Sequence, residues 1–123
     1  MQCPSRAEAL QRVQELAGQE RFTLTRNARK DARNLGYLDG DICDCLCEIE
    51  LHECEDVVWS DWQDHPGPIL ICDTAFALEV STPDEDDISV KTDRLYVKVQ
   101  LPAEGDEDSD LVILSFKLYG SPR

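Results

Sequence analysis

Gln63, Tyr96 and Lys117 are a carboxamide, a phenol and an ammonium, a set able to handle a phosphodiester without a metal. A glutamine amide can position a phosphate or a hydroxyl. A phenol can pass a proton or hold an oxygen, and an ammonium can neutralise charge building on phosphorus. They sit in three short stretches, Trp62-Gln63-Asp64, Leu95-Tyr96-Val97-Lys98 and Ser115-Phe116-Lys117. His65 follows Asp64 in a turn before Pro66, and a loop histidine can act as acid or base near neutral pH. Exposed Tyr and Lys on strands also make ordinary solvated sheet faces. The residue types alone therefore leave both readings open.

The elements that must carry these groups can be read from periodicity. Residues 5–17 predict an amphipathic helix with Ala7, Leu10, Val13, Leu16 and Ala17 on its core face. Ser5 with Glu8 makes a capping box, and Gly18 is the expected stop. Arg21 to Thr25 alternates as a short strand does. Thr25 then caps a second helix, Arg26 to Leu35, ended by Gly36. Its Arg26, Arg29, Lys30 and Arg33 form one basic stripe, readable as a solvated face or as a contact for RNA or a partner protein.

Residues 39–58 fit both strand and helix by periodicity, with a short helical turn expected from His52 to Val58. His65-Pro66-Gly67-Pro68 is a break. Strands follow at Ile69 to Cys72, Ala75 to Val80, Leu95 to Leu101 and Leu111 to Lys117. In the third, Leu95, Val97, Val99 and Leu101 share the buried face, and Tyr96 and Lys98 share the other. The apolar start of the last strand predicts an interior position. Helices followed by strands give an α+β class, read as one domain over residues 1–123.

The 123 residues suit one modest core, and a hydrophobic fraction of 41% is enough for a globular chain. There is no apolar run of the ~20 residues that a membrane helix needs. The first residues lack the apolar stretch of a secretory signal, so a cytoplasmic setting and reduced thiols are expected. The spacing of Cys43, Cys45 and Cys47 lacks the C-x-x-C pairs of common zinc sites. Small buried cysteines filling a core are the reading, with no metal ligand and no cofactor assigned. No G-x-S-x-G, P-loop or dinucleotide fingerprint is present. The net charge of −14 is a poor match to a protein that grips phosphates. Its distribution is uneven: no Lys or Arg lies between Arg33 and Lys91.

Taken in order, several segments resemble the MqsR family of bacterial toxins. They are Thr25-Arg26-Asn27-Ala28, Leu35-Gly36, Asp39-Gly40, Cys43 to Ile49, Trp62-Gln63-Asp64, Tyr96-Val97-Lys98 and Ser115-Phe116-Lys117. The resemblance favours a helix at residues 43–49. It implies a RelE-like α+β fold, with N-terminal helices packed on an antiparallel sheet. It also implies a toxin of a toxin–antitoxin pair: an mRNA interferase that cuts single-stranded RNA without metal and is held by a cognate antitoxin.

On that resemblance Gln63, Tyr96 and Lys117 are the catalytic residues, with Tyr96 or His65 moving protons. Arg26, Lys30, Arg94 and Lys98 are the candidates for binding the substrate. The chain departs from the family at Glu53-Cys54-Glu55-Asp56, where relatives carry a phenylalanine-tyrosine-lysine stretch. Lys91 and Arg94 are the cations able to replace that lysine. A second departure is the long stretch from Ile69 to Asp93. The alternative reading is a non-catalytic acidic module that binds a basic protein.

Overall fold

The computed structural model describes residues 3–61, 66–81, 88–103 and 108–120. Three helices and a 3₁₀ turn pack on a sheet of five strands, which makes the class α+β. The helices are α1 (Arg6–Gly18), α2 (Arg26–Asn34) and α3 (Asp39–Glu48). The strands are β1 (Phe22–Leu24), β2 (Cys54–Ser60), β3 (Gly67–Ser81), β4 (Ile88–Gln100) and β5 (Leu111–Leu118), in the spatial order β1-β5-β4-β3-β2.

Helix α1 starts where Ser5 caps it: Ser5 Oγ accepts from the Glu8 amide at 3.1 Å and donates to the Glu8 carboxylate at 3.0 Å. Its buried stripe is Ala9, Leu10, Val13, Leu16 and Ala17; Ala7 is exposed, so the face is rotated from the expected one. Gly18 closes the helix instead of following it, and Glu20 takes the left-handed turn at φ 58°. In α2, Thr25 Oγ1 accepts from the Ala28 amide at 3.2 Å, and Ala28 and Ala32 are buried. Gly36, at φ 91°, provides the left-handed exit that a side chain would strain. Helix α3 buries Ile42, Cys45 and Leu46. The Gln14 amide of α1 donates to the Cys47 and Ile49 carbonyls at 3.1 and 2.9 Å, which satisfies the otherwise orphaned end of α3.

The sheet differs from the expected antiparallel one. β1 runs parallel to β5, with Phe22 opposite Leu111 and Leu24 opposite Ile113. Three residues carry no pattern that reveals direction, and the long-range ladder to β5 decides it. The expected helical turn over His52 to Val58 is instead a 3₁₀ turn, Leu51–Glu53, running into β2. Val57, Val58 and Trp59 suit a strand, and the antiparallel ladder to β3 settles the ambiguity.

The two strands expected at residues 69–80 are one 15-residue strand. Asp73 looks like a turn residue. Here it is an ion-pair partner of Arg94 on the neighbouring strand. The β4 alternation is as expected, with Leu95, Val97, Val99 and Leu101 all buried. β5 lies between β1 and β4, as its apolar sequence implies.

Leu70, Cys72, Leu95, Val97, Val99, Ile113 and Phe116 join the helices in one core cluster. Tyr37 anchors it, its ring 5.1 Å from that of Phe116. The opposite face of the sheet alternates with that core. No described helix covers it, and the site groups of β4 and β5 lie there.

Candidate active site on the uncovered sheet face

Tyr96 and Lys117 are direct partners across β4 and β5, so their side chains leave the same face. Lys117 Nζ stands 5.7 Å from the centroid of the Tyr96 ring. Lys98 is two residues along β4, opposite Ser115 and Ile71, so it shares that face. It makes no ion pair with any described residue. Strand alternation puts Tyr96 and Lys98 on one face, and the β4–β5 register brings Lys117 beside them.

Three further groups complete the face. The Tyr119 ring meets the Tyr96 ring edge-on at 6.1 Å and 66°. The Arg94 guanidinium lies 4.0 Å over the Tyr119 ring. Arg94 also forms a fork with Asp73, with Nε to Oδ1 at 2.9 Å and Nη2 to Oδ2 at 2.5 Å. The Tyr119 amide donates to the Arg94 carbonyl at 2.8 Å. Asp73, Arg94, Tyr119 and Tyr96 are thus a connected row whose bulk holds the Tyr96 ring in place. Asp73 is held below the ordinary carboxylate range, chiefly by its hydrogen bond from Arg94, and Arg94 is raised in return.

Burial pushes the Tyr96 phenol above its ordinary value, and the charges of Glu55 and Tyr119 push in the same direction. A raised phenol is protonated at neutral pH. Tyr96 is therefore equipped to donate a hydrogen bond or a proton, and not to serve as a base. The acidic departure bears on this face through the charge of Glu55. The β2 bulge between Cys54 and Asp56 falls at Glu55, which acts electrostatically on both Tyr96 and Arg94.

The remaining sequence candidates are distributed differently. Gln63 and His65 lie outside the described residues. The described flanks of their segment, Ser60 and Gly67, pair at the far end of β3. From Gly67 to Asp73, the neighbour of Tyr96, is about 20 Å of strand. Arg26 and Lys30 are exposed on α2, whose buried alanines face the core side where Phe116 points. They are not part of the Tyr96 face.

The rest of the basic stripe is engaged, since Arg29 and Arg33 both reach Asp39, at 3.5 and 3.9 Å. Arg94 is on the face but committed to Asp73. Lys91 cannot stand in for the missing cation. It donates to the Leu35 carbonyl at 2.7 Å and pairs with Asp93 at 3.0 Å, on the helix side. Among the described residues no group of three His, Cys, Asp or Glu is placed to hold a metal.

Tyr119 and Asp73 were not evident from the sequence, whereas Glu55 belongs to the acidic departure read there. For Tyr119 a signal exists: the alternation through Lys117 continues to residue 119, paralleling Tyr96 and Lys98 on β4. For Asp73 there is none, because it acts through Arg94 on another strand.

The chain matches no protein-family model, no curated protein and no solved structure. No described helix is long and apolar enough to cross a membrane.

Proposed function

We propose that this chain is a metal-independent endoribonuclease that cuts single-stranded mRNA. In this reading it is the toxin of a toxin–antitoxin pair, RelE-like in fold, acting in the cytoplasm until a cognate antitoxin binds it. The observation that supports this best is the pairing of Tyr96 with Lys117 on an open sheet face, with Lys98 beside them. A ribose 2′-hydroxyl attacks the adjacent phosphate, and the 5′-oxygen leaves. Lys117 offsets the charge that develops on the phosphoryl oxygens. Tyr96, kept protonated, hands its proton to the leaving oxygen. Lys98 holds the neighbouring phosphate, and the exposed Tyr119 ring offers an edge for a base to pack on. The 2′-hydroxyl proton passes to water, and Gln63 and His65, whose described flanks lie about 20 Å along β3 from Asp73, are assigned to the site by the family resemblance alone.

The test is cleavage of a long single-stranded RNA by the purified protein in EDTA. Cleavage by the wild type, reduced by roughly 10²–10³-fold in Lys117→Ala, is the expected result. Equal cleavage by the two would place the chemistry elsewhere.

One observation favours a second reading, in which the same face binds a basic protein and cuts nothing. Glu55 bears electrostatically on Tyr96 and Arg94 and lies within Glu53-Cys54-Glu55-Asp56, the stretch where the resembled family carries a lysine; its carboxylate repels a phosphate. That reading predicts no cleavage by wild type or variants and salt-sensitive binding to a basic protein.

A further inference from the structure

Cys54 and Cys72 are direct cross-strand partners on β2 and β3, and both are buried, with 1% and 0% of their surface exposed. The Cys72 thiol points at Cys54 Sγ across 4.0 Å. Opposite residues of an antiparallel pair have Cα atoms about 4.5–5.5 Å apart, inside the range that a disulfide bridges. Closing the gap to the ~2.05 Å of a disulfide is therefore a matter of side-chain rotation and a small strand shift. We propose that Cys54 and Cys72 are an oxidation site, a dithiol that closes to a disulfide joining β2 to β3.

The two thiols are not equivalent. The hydrogen bond from Cys72 draws the Cys54 thiol below its ordinary value, with Arg6 helping, and the same bond raises Cys72. Arg6 Nη1 donates to the Cys54 carbonyl at 3.0 Å, which keeps its positive charge near this end of β2. Cys54 is thus the attacking sulfur and Cys72 the resolving one.

With hydrogen peroxide as oxidant, the Cys54 thiolate attacks one peroxide oxygen. The O–O bond breaks, hydroxide leaves and takes up the proton that the Cys54 thiol had shed, giving the first water, and a sulfenic acid forms. The Cys72 sulfur then attacks the Cys54 sulfur. The S–S bond forms, the S–O bond breaks, and hydroxide departs with the Cys72 proton as a second water. The thiols lose two electrons and two protons, and peroxide is reduced to two waters.

Access is given by the position of Cys54. It opens a strand that, among the described strands, is an edge paired with β3, and it stands next to the bulge before Asp56. Such a strand end opens at lower cost than the core. The bond would also act on Glu55, the next residue, whose carboxylate bears on Tyr96. The proposal does not depend on the ribonuclease reading.

A rival among the described residues is Cys45 of α3, also buried, whose thiolate, when formed, would raise Cys72 further. The experiment treats the full chain with hydrogen peroxide, and separately with diamide, then alkylates it under denaturing conditions and maps the peptides. The expected product is a Cys54–Cys72 peptide pair, lighter by two hydrogens than the two thiols and restored by dithiothreitol. It should be absent from Cys54→Ser and from Cys72→Ser.

A bond mapped to Cys45 and Cys72 would overturn the assignment. So would Cys54 and Cys72 both remaining thiols after the exposed Cys3 and Cys47 have been fully oxidised. Mapping the wild type decides the matter even if a serine variant fails to fold.

Discussion

At the scale of single residues, Tyr96 is the group whose state decides what the face can do. Its phenol is raised by burial first and by Glu55 next. Replacing Glu55 by Gln removes a charge that disfavours the phenolate, so the Tyr96 pKa should fall towards the ordinary value. Absorbance titration of Glu55→Gln, differenced against Tyr96→Phe, reads this directly. An unmoved Tyr96 transition would mean that burial and Tyr119 set it without Glu55. The same substitution should tighten binding of single-stranded RNA, because a repulsive carboxylate whose charge reaches Tyr96 and Arg94 is lost. Tyr96→Phe keeps the ring but removes the proton. On the proposed chemistry it should lower RNA cleavage by roughly 10²–10⁴-fold while leaving binding nearly unchanged. Equal losses in binding and cleavage would recast Tyr96 as a stacking surface.

At the scale of elements, the face exists because β4 and β5 are held flat against the helices by a few large side chains. Phe116, fully buried between Val97 and Tyr37, is one rung from Lys117. Phe116→Ala should cost about 3–5 kcal/mol by chemical denaturation, since it leaves a cavity under the sheet. Thr25→Ala removes the cap of α2 and should cost about 1 kcal/mol. A cost near zero would show that Thr25 contributes little as a cap.

Gly67 is tighter still. A Cβ there would meet the Leu101 carbonyl oxygen at 2.4 Å, a backbone atom that cannot step aside. Gly67→Ala should therefore destabilise more than Thr25→Ala does, by the same denaturation measurement. It would also displace the start of β3, which flanks the Gln63 segment.

At the scale of the whole molecule, the core keeps neutral forms of groups that ionise when exposed. Burial pushes the Cys45 thiol up to about 12 from its ordinary 9.0. Burial, with Asp93 beside it, raises the Tyr37 phenol as well. For both groups the unfolded chain loses the proton first as pH rises. The folded state then binds more protons, and stability must fall with rising pH.

The window for Cys45 opens near pH 9 and closes near 12, with a slope of at most about 1.4 kcal/mol per pH unit from that thiol. Urea midpoints measured from pH 7.5 to 10.5 should be level at first and then decline. A midpoint that climbs above pH 9 would contradict the buried-neutral assignment. Below pH 7 neither group contributes a pH dependence.

Helices α1 and α2, their caps and the inward alternation of β4 follow from the sequence alone, whereas periodicity left α3 open between helix and strand. Each rests on neighbours within a turn or two: Ser5 with Glu8, Thr25 with Ala28, and the period-2 run from Leu95. The shared face of Tyr96 and Lys98 was legible for the same reason. What the sequence left open is every relation between strands. The parallel entry of β1, the conversion of residues 54–60 to a strand, the union of residues 67–81 and the arrival of Lys117 and Tyr119 beside Tyr96 are all pairings of residues far apart in the chain. So are the link from Asp73 to Arg94 and the thiols of Cys54 and Cys72. Local propensity is weak or neutral at these positions, and the energy that decides them is hydrogen bonding and burial against a partner strand. Only the folded sheet supplies that partner.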